Sequence, residues 1–506
     1  MLKIYDIIRN ENWREKFAPI RRESLNLLVH EIMNRGRTND IAIVDEERKF
    51  TYAAALESIK NFRNRLYKLG VRQGDRVALF SRNSAEFIFA YFATTSLGAI
   101  CVPINFQLST RETNFIVKNA EAKLVLTYEK LDIDVAQYDI AAFEKIPCEI
   151  DAPELPADFD ENSPCVIIYT SGTTGNPKGA VLSHKNLVHN TKQCKVFKCS
   201  RECKAICVLP MYHCFEWTCS VLNTFYCGAE AHIMRAFKPK DMIDMIRENK
   251  ITDMIIVPSI FKLITAMAKP EDFKTIRFAM SGGTTLPVKM VEEFTKKFGL
   301  PIAEGYGLSE ASPCVFLTTH GEERVGSVGK ILDGEEIRIV DEDGNDLPVG
   351  EPGELLVRGG QVMLGYWKNP AATAEAIDAE GWLHTGDIAK GDADGYFYIV
   401  NRIKEMIISM GENVYPREVE EVVYEFPGIK DAAVVGVNDK LRGQVGACFY
   451  EVQDGANVDV RELKKFLQKN LAMYKVPREF RQIAEMPRTS TGKISKRTIL
   501  EKFVKN

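Results

Sequence analysis

The chain has no long hydrophobic run and no large excess of charge of either sign. None of its apolar stretches approaches the roughly 18 residues that a membrane-spanning helix requires. The 66 Lys and Arg residues nearly balance the 70 Asp and Glu residues, which leaves a formal net charge of −4. This balance excludes the strongly basic surface typical of nucleic-acid-binding proteins. Any bound anion must therefore be held by local donor groups.

The N-terminus lacks the continuous apolar segment of a secretory signal, because charged residues such as Asp6, Glu11 and Glu15 interrupt it. Residues 2–9 are apolar and partly basic, which allows at most a peripheral membrane contact or a contact with a subunit, as in a homodimer. A packed surface segment is the alternative. We therefore expect a cytoplasmic protein.

The 12 cysteines lack the Cys-x-x-Cys pairs that are typical of structural zinc sites. They crowd between Cys194 and Cys227, where Cys199, Cys203 and Cys207 recur every four residues. Because no second Cys or His pair accompanies them, this spacing predicts free thiols in a reducing compartment.

A chain of 506 residues is too long for one compact core, so we expect at least two domains. Early in the sequence, residues 77–80 and 100–103 have the composition of buried strands. Asn83 can cap the helix between them, which would run to about Leu97. Repeated β-α-β units of this kind predict parallel sheets covered by helices.

The pattern changes twice in the second half of the chain. Residues 337–340 and 354–357 flank an Asp/Gly-rich turn and predict a hairpin in a β subdomain. After residue 401, helices and strands alternate, beginning with helical spacing at 416–423. We therefore predict an α/β protein with a large N-terminal domain of parallel sheets covered by helices plus the β subdomain, and a small mobile α+β C-terminal domain. The predicted domains are residues 1–401 and 402–506.

A loop rich in glycine and hydroxyl groups follows the apolar strand predicted at residues 165–169. Its glycines let backbone N–H groups approach an anion, and its hydroxyls and lysine add donors, as a polyphosphate requires. A second strand, at residues 180–182, follows the loop, whereas a Walker loop leads into a helix. A flexible polar turn is the alternative. The candidate phosphate-binding residues are Thr170, Ser171, Gly172, Thr173, Thr174, Gly175 and Lys178.

Three further motifs follow this loop, at residues 304–310, 382–387 and 487–493. Together with the loop, they resemble those of the adenylate-forming superfamily of acyl-CoA synthetases, luciferases and nonribosomal adenylation domains, in the same order and over nearly the whole chain. The resemblance implies an ATP-dependent, AMP-forming acyl-CoA ligase. Such an enzyme joins a carboxylic acid to AMP with release of pyrophosphate, and then transfers the acyl group to coenzyme A.

The first half-reaction joins two anions, and an ionised carboxylate needs no general base. The resemblance assigns Lys493 to bridging the carboxylate and the α-phosphate, where a fixed cation would offset their repulsion. Thr170 and Glu310 match the family's Mg²⁺ positions, and hard oxygen ligands suit that ion. Without the motifs, Lys493 would be a solvated surface lysine and Glu310 an exposed loop acid.

The resemblance also implies residues that bind ATP and CoA. Asp387 and Arg402 suit ribose hydroxyls or phosphate oxygens, and Lys404 occupies the hinge about which the small domain would rotate. For the residues that follow, the alternatives are plain turns for the glycines, a core residue for the tyrosine and surface positions for the two arginines. These residues are Gly282, Gly283, Glu304, Gly305, Tyr306, Gly307 and Ser309 at the nucleotide, Gly411 at the pantetheine tunnel, and Arg442 and Arg478 at the CoA nucleotide.

Residues 210–217 resemble the segment that begins the acyl site. His213 would be a second catalytic residue at the mouth of the pocket, and Trp217 aligns with a tryptophan that gates the tunnel of long-chain enzymes. A core histidine and a core tryptophan are the alternatives. The predicted acyl pocket comprises Tyr212, His213, Trp217, Gly307 and Ala311.

The small side chains that follow Glu310 would leave room for an alkyl chain. We therefore expect a medium- or long-chain fatty acid as the substrate. An aryl- or short-chain-acid CoA ligase, or an acyl-AMP ligase that serves a carrier protein, is the alternative. A non-catalytic binding protein would have lost Glu310 or Lys493, and both are present.

Overall fold

A computed structural model describes residues 27–170, 177–284, 286–409, 412–439, 442–489 and 493–504. The strands in chain order are β1 (Ile41–Asp45), β2 (Arg48–Thr51), β3 (Arg76–Phe80), β4 (Ile100–Pro103), β5 (Ala122–Thr127), β6 (Ala136–Asp139), β7 (Pro164–Thr170), β8 (Lys178–Ser183), β9 (Lys204–Cys207), β10 (Glu230–Ile233), β11 (Asp253–Ile256), β12 (Phe278–Ser281), β13 (Ala303–Gly307), β14 (Cys314–Leu317), β15 (Lys330–Ile331), β16 (Glu336–Val340), β17 (Gly353–Arg358), β18 (Gly365–Tyr366), β19 (Leu383–Gly391), β20 (Phe397–Arg402), β21 (Ile407–Ser409), β22 (Glu412–Val414), β23 (Ile429–Asp439), β24 (Gly443–Val452) and β25 (Glu479–Gln482).

The helices lie mostly between these strands. The α-helices are α1 (Tyr52–Lys68), α2 (Ala85–Ser96), α3 (Thr110–Asn119), α4 (His184–Gln193), α5 (Asn223–Tyr226), α6 (Pro239–Asn249), α7 (Pro258–Met267), α8 (Val288–Phe298), α9 (Pro370–Ala376), α10 (Pro416–Glu425), α11 (Val460–Asn470) and α12 (Lys496–Ile499). Short 3-10 turns lie at Val29–Arg35, Phe143–Lys145, Cys194–Phe197, Pro270–Phe273, Ser309–Ala311 and Ile403–Glu405, and π-helical segments at Glu216–Leu222 and Leu500–Val504.

Two large sheets with parallel centres form most of the molecule. The first has the order β15-β14-β13-β12-β11-β9-β10-β1-β2, and only β2, β14 and β15 run antiparallel to their neighbours. The second has the order β18-β8-β7-β4-β3-β5-β6, parallel from β7 to β6. This arrangement confirms the α/β class and the parallel sheets covered by helices.

The predicted strand–helix–strand unit between residues 77 and 103 is confirmed, with one difference at the helix start. Helix α2 begins after Ser84, whose hydroxyl accepts a hydrogen bond from the Phe87 N–H at 3.1 Å. Asn83, the predicted cap, instead donates its side-chain amide to the carbonyls of Leu209 and Met234. The Asn83 amide is therefore occupied by tertiary hydrogen bonds, and the neighbouring Ser84 caps the helix instead.

The predicted hairpin is also present, in a smaller antiparallel sheet with the order β16-β17-β19-β20. Strands β16 and β17 pair from Glu336 with Arg358 to Val340 with Glu354. At the other side of the sheet, β19 and β20 pair Asp387 with Arg402. The β subdomain therefore places two predicted nucleotide-binding residues, Asp387 and Arg402, opposite each other on adjacent strands.

The last part of the chain has a sheet and a core of its own. Strands β22-β21-β24-β23 pair in this order, and β25 adds to β24 in parallel. Val434 of strand β23 packs in an apolar cluster with side chains of helices α10 and α11, such as Leu463 and Leu467 of α11. This separate core supports a small α+β domain, and the boundary at residues 401 and 402 stays a prediction.

The cysteines are free thiols, and most of them are buried. Three of them, Cys194, Cys219 and Cys314, meet inside an apolar cluster that also contains Phe197 and Phe278. The Sγ atoms of Cys219 and Cys314 lie 3.2 Å apart. In the part of the chain that the structure describes, no helix combines the length and apolar character needed to cross a membrane.

Two histidines that pack edge to face make the fold sensitive to acid. Burial lowers the pKa of His30 to about 3 and the pKa of His184 to about 4. The unfolded chain binds these protons near pH 6.5, so the stabilisation is complete above that pH and is lost as the pH falls toward 4. We expect the free energy of unfolding to fall by about 1–2 kcal/mol per histidine between pH 7 and pH 5. Urea unfolding at the two pH values measures this change.

Two variants separate this effect from general acid denaturation. His30→Phe removes one of the two protonation sites. It should therefore reduce the change in the free energy of unfolding between pH 7 and pH 5. His384→Gln, at a side chain that is 37% exposed, should leave it unchanged. An equally steep dependence in His30→Phe and the parent protein would contradict the assignment.

Candidate active site

The strands on either side of the glycine-rich loop form an antiparallel pair, as the sequence predicts. Thr170 at the end of β7 pairs with Lys178 at the start of β8, and the Thr170 hydroxyl donates to the Lys178 carbonyl at 3.5 Å. The loop therefore connects strand to strand. The predicted phosphate-binding residues Ser171, Gly172, Thr173, Thr174 and Gly175 lie outside the described residues.

Glu310 lies on the short 3-10 turn that follows β13. Its Oε1 accepts a hydrogen bond from the Tyr366 hydroxyl at 2.8 Å, and its carbonyl accepts from the Met363 N–H at 2.8 Å. Lys178 extends over the same tyrosine, with Nζ 5.3 Å from the ring centroid. Tyr366, which the sequence motifs do not single out, thus joins the predicted metal ligand to the end of the phosphate loop.

Asp387 is a buried carboxylate with two specific partners. Its Oδ2 accepts from the Tyr306 hydroxyl at 2.5 Å, and its Oδ1 lies 3.0 Å from Nε of Arg402. Burial raises the pKa of Asp387, while the charge of Arg402 and the hydrogen bond from Tyr306 oppose this shift. The hydrogen bond orients the tyrosine ring that the resemblance assigns to adenine.

Lys493 comes from the last part of the chain but lies against the large domain. Its backbone is fixed by the Thr489 N–H, which donates to the Lys493 carbonyl at 2.7 Å. Its Cε lies 3.7 Å from the point where a Cβ on Gly283 would stand. Burial, and then the charge of Arg402, lower the pKa of Lys493. The structure therefore brings the predicted lysine, the predicted Gly283 and the Asp387–Arg402 pair into one site.

His213 lies close to Lys493 and is neutral at physiological pH. Burial and the lysine charge lower the pKa of His213 to about 4. The Phe215 N–H donates to Nδ1 of His213 at 3.2 Å, so the neutral ring carries its proton on Nε2. Beside it, the Cys214 thiol lies 3.3 Å from the hydroxyl of Ser309, another predicted site residue. His213 can therefore donate one hydrogen bond at the mouth of the acyl side.

Glycines in the predicted nucleotide motifs are closely packed by apolar side chains. A Cβ atom on Gly282 would lie 2.8 Å from Cζ and 3.1 Å from Cε2 of Phe215, so the tip of this ring lies against the Gly282 backbone. A Cβ atom on Gly305 would lie 2.3 Å from Cε of Met280 and 2.7 Å from Cδ2 of Leu317. The motifs had indicated the glycines but not the apolar side chains that fill the space beside them.

Trp217 is almost fully buried on the other side of the same segment. Its ring centroid is 4.0 Å from that of Tyr91, and the rings of Phe87 and Phe92 also contact it. All three partners belong to helix α2. Of the other predicted pocket residues, Ala311 is buried and Tyr212 packs edge to face on Phe106. This packing favours a core role for Trp217, and its role as a gate stays a prediction.

The remaining predicted site residues lie toward the small domain. Lys404 is on the 3-10 turn between β20 and β21, where burial and the charge of Arg402 lower its pKa. Arg442 pairs with Asp439 at 3.8 Å, and the Arg478 N–H donates to the Gly446 carbonyl. Gly411 lies outside the described residues. The hinge and CoA contacts therefore stay predictions.

One predicted nucleotide residue has an unusual charge environment. Glu304 is buried in β13, and burial raises its pKa to about 8 against the opposing charge of Arg417. Arg417 belongs to helix α10 of the small domain. Glu304 therefore lies where the two domains meet, and it is largely protonated at neutral pH.

Side chains from both domains thus meet at one end of a parallel sheet, close to the strands that flank the glycine-rich loop, and this arrangement suits a nucleotide-dependent enzyme. A family model described as AMP-binding enzyme matches residues 31–367, and one described as AMP-binding enzyme C-terminal domain matches residues 418–493. The chain therefore belongs to the AMP-binding enzyme family, in the adenylate-forming superfamily, and it is an AMP-forming acid–thiol ligase.

Relatives within the family act on different acids. The chain is 34% identical over 464 residues to the feruloyl-CoA synthase of an Amycolatopsis species, which covers 90% of this chain and 94% of the relative. It is 31% identical over 495 residues to the long-chain-fatty-acid–CoA ligase of Bacillus subtilis, covering 86% and 87%. The structure of ATP-bound MatB from Rhodopseudomonas palustris matches 95% of this chain and 99% of that one, with 26% identity and a TM-score of 0.89.

Proposed function

We propose that the protein converts an aromatic carboxylic acid, ATP and CoA into an aryl-CoA thioester, AMP and pyrophosphate. The observation that carries this proposal is the dense packing beside the predicted acyl segment, where the Phe215 ring contacts Gly282 and apolar side chains fill the space beside Gly305. A flat acid can stack on such a ring, whereas a long alkyl chain needs an open tunnel. The 34% identity to a feruloyl-CoA synthase supports the same choice.

In the first half-reaction, a carboxylate oxygen attacks the α-phosphorus of ATP and pyrophosphate leaves. At 4 Å and an effective dielectric constant of 20, two unit negative charges repel each other by about 4 kcal/mol. The Lys493 ammonium is the cation placed to offset this repulsion, because the lysine lies against Gly283 and close enough to Arg402 and Asp387 for their charges to act on it. Neutral His213, with its proton on Nε2, can donate to a substrate oxygen without adding charge.

Magnesium would be held by oxygen atoms at the end of the phosphate loop. The Glu310 carboxylate and the Thr170 hydroxyl are hard donors, and the Tyr366 hydroxyl orients the carboxylate by donating to it. The ion would neutralise charge on the phosphates that leave as pyrophosphate. This donor set fits Mg²⁺.

The buried Asp387 carboxylate suits the ribose of ATP. Arg402 and Tyr306 keep it fixed, and a carboxylate can accept hydrogen bonds from two hydroxyls. We infer that it positions the nucleotide so that the α-phosphate faces the carboxylate of the acid.

The second half-reaction transfers the acyl group from AMP to the CoA thiol. We infer that the small domain rotates about Lys404, so that Lys493 leaves the site and Gly411 lines the path of the pantetheine arm. Arg442 and Arg478 carry the positive charge that CoA phosphates require. Closing the site in each orientation would protect the mixed anhydride from water.

A medium- or long-chain fatty acid is the second candidate substrate. The 31% identity to the long-chain ligase of Bacillus subtilis favours it. It requires Phe215 to swing away from Gly282 so that an alkyl chain can pass. The two candidates therefore differ in whether this ring is a fixed wall or a movable one.

A CoA-ligase assay with ferulate, benzoate, octanoate, palmitate and acetate tests the proposal. We expect kcat/KM for the best aromatic acid to exceed that for palmitate at least tenfold, with thioester formation dependent on CoA. Phe215→Ala should reduce the ratio of kcat/KM for the aromatic acid to kcat/KM for palmitate, because it favours the longer acids. A preference for palmitate or octanoate in the parent enzyme would establish the second candidate instead.

A further inference from the structure

A lysine of the large domain contacts a backbone carbonyl and a buried carboxylate of the small domain. Lys262, on helix α7, donates from Nζ to the Lys430 carbonyl at 2.5 Å. The same Nζ lies 3.3 Å from Oδ2 of Asp431, on strand β23. The Asp431 side chain is only 10% exposed, and the Lys262 side chain is 35% exposed. The contact is therefore partly shielded from solvent.

Asp431 also holds the turn that carries Lys493. Nη2 of Arg488 donates to the same Oδ2 atom at 2.8 Å. The backbone of Arg488 bridges to Ile494, immediately after Lys493. In addition, the Ser495 N–H donates to the Pro487 carbonyl at 2.8 Å. Residues 487–489 and 493–495 are thus joined to each other by hydrogen bonds, and Arg488 ties them to Asp431.

These contacts form one continuous path from the large domain to the lysine in the active site. The path runs from Lys262 to Asp431, from Asp431 to Arg488, and across the bridge between Arg488 and Ile494 to the adjacent Lys493. Lys493 in turn lies against Gly283 of the large domain. Lys262 and Lys493 are therefore two of the places where the domains meet, in addition to the interactions of Arg417 with Glu304 and with the Ile399 carbonyl.

We propose that Lys262 is a positioning residue for the first half-reaction. It holds Asp431, and through Asp431 and Arg488 the turn that carries Lys493, in the orientation in which the lysine reaches the acyl and nucleotide site. This proposal rests on the role proposed above for Lys493. Because Lys262 belongs to the large domain and Asp431 to the small one, a rotation about the hinge separates them. The contact therefore acts in the first half-reaction and is absent in the second.

The test compares Lys262→Ala with Lys262→Arg, which keeps the charge, and with Lys240→Ala. Lys240 is an exposed lysine on helix α6, which packs against helix α7. We expect Lys262→Ala to lower kcat of acid-dependent pyrophosphate–ATP exchange about fivefold, the size typical of a half-exposed ion pair, with little change in KM for ATP. Thioester formation from supplied acyl-AMP should keep the parent rate. Lys262→Arg should restore most of the exchange, and Lys240→Ala should match the parent.

A second measurement needs no catalysis. Limited trypsin digestion, followed by mass spectrometry of the fragments, measures cleavage after Arg402 and Lys404 in the hinge. We expect faster cleavage in Lys262→Ala than in the parent and in Lys240→Ala, because the small domain spends more time away from the large one. Unchanged exchange, or an equal loss in both half-reactions, would overturn the proposal. If Lys262→Ala is cleaved faster but the parent enzyme exchanges no pyrophosphate with any acid, the proposed function is refuted, and with it the role of Lys262 in catalysis.

Discussion

Replacing Lys493 with alanine should lower acid-dependent pyrophosphate–ATP exchange by a factor of about 100 to 1,000. Losing one preorganised charge donor at a reacting centre typically costs this much. Among the described residues, the structure explains why the two groups beside Lys493 do not replace it. The neighbouring Arg402 is held by Asp387, with Nε 3.0 Å from Oδ1. His213 is neutral because burial and the lysine charge lower its pKa to about 4.

The same variant should keep the second half-reaction. If the small domain rotates, Lys493 is outside the site when CoA attacks, so Lys493→Ala should form thioester from supplied acyl-AMP at close to the parent rate. Lys465→Ala is the matched control, since Lys465 is an exposed lysine of the same domain that pairs with Glu462. Intact exchange in Lys493→Ala would refute the mechanism, and an equal loss of both half-reactions would refute the rotation.

The motifs located the polar residues of the site because chemistry restricts which side chains can act there. Lys493, Asp387 and Glu310 lie in short runs whose composition is itself informative. The residues around them could not be predicted in this way. Tyr366 contacts Glu310 across 56 positions of sequence, and nothing in its neighbourhood marks it as a partner.

The acyl side shows the same limit. The segment after residue 210 has three large aromatic residues, Tyr212, Phe215 and Trp217, and the resemblance assigned the gate to Trp217. The structure buries Trp217 against helix α2 and places Phe215, two positions earlier, on Gly282. The segment around Trp217 is π-helical, so its faces do not follow the usual 3.6-residue period. Which aromatic residue faces the substrate therefore depends on local winding that the sequence pattern does not indicate.

The fold was predictable where local and tertiary preferences agree. Strand β4 was predicted with the bounds that the structure shows, because four buried apolar residues follow a helix directly. At the start of helix α2, two adjacent residues could both cap, and distant carbonyls decided between them. The Lys262–Asp431 contact could not be predicted from the sequence either, because it depends on how the two domains meet.

Gly307→Ala should lower pyrophosphate–ATP exchange at least a hundredfold in a protein that still folds. A Cβ atom at this position would lie 1.9 Å from the Pro313 carbonyl oxygen and 2.6 Å from its carbonyl carbon. Both are backbone atoms, so no side-chain rotation can relieve the overlap. The Leu308 N–H donates to the same oxygen at 2.9 Å and closes the turn that carries Glu310. The methyl group must therefore displace this turn, and a shift of about 1 Å in a reacting group can cost a hundredfold in rate.

Gly446→Ala is the matched control for this substitution. A Cβ atom there would lie 3.4 Å from Cγ1 of Val434, which is an ordinary contact, so exchange should stay near the parent level. Circular dichroism and thermal unfolding establish that both variants are folded, and the exchange assay at saturating Mg²⁺ then compares them. A folded Gly307→Ala enzyme with a tenth or more of the parent exchange would show that the turn can move without loss of function. In that case, Glu310 would not be the metal ligand on which the first half-reaction depends.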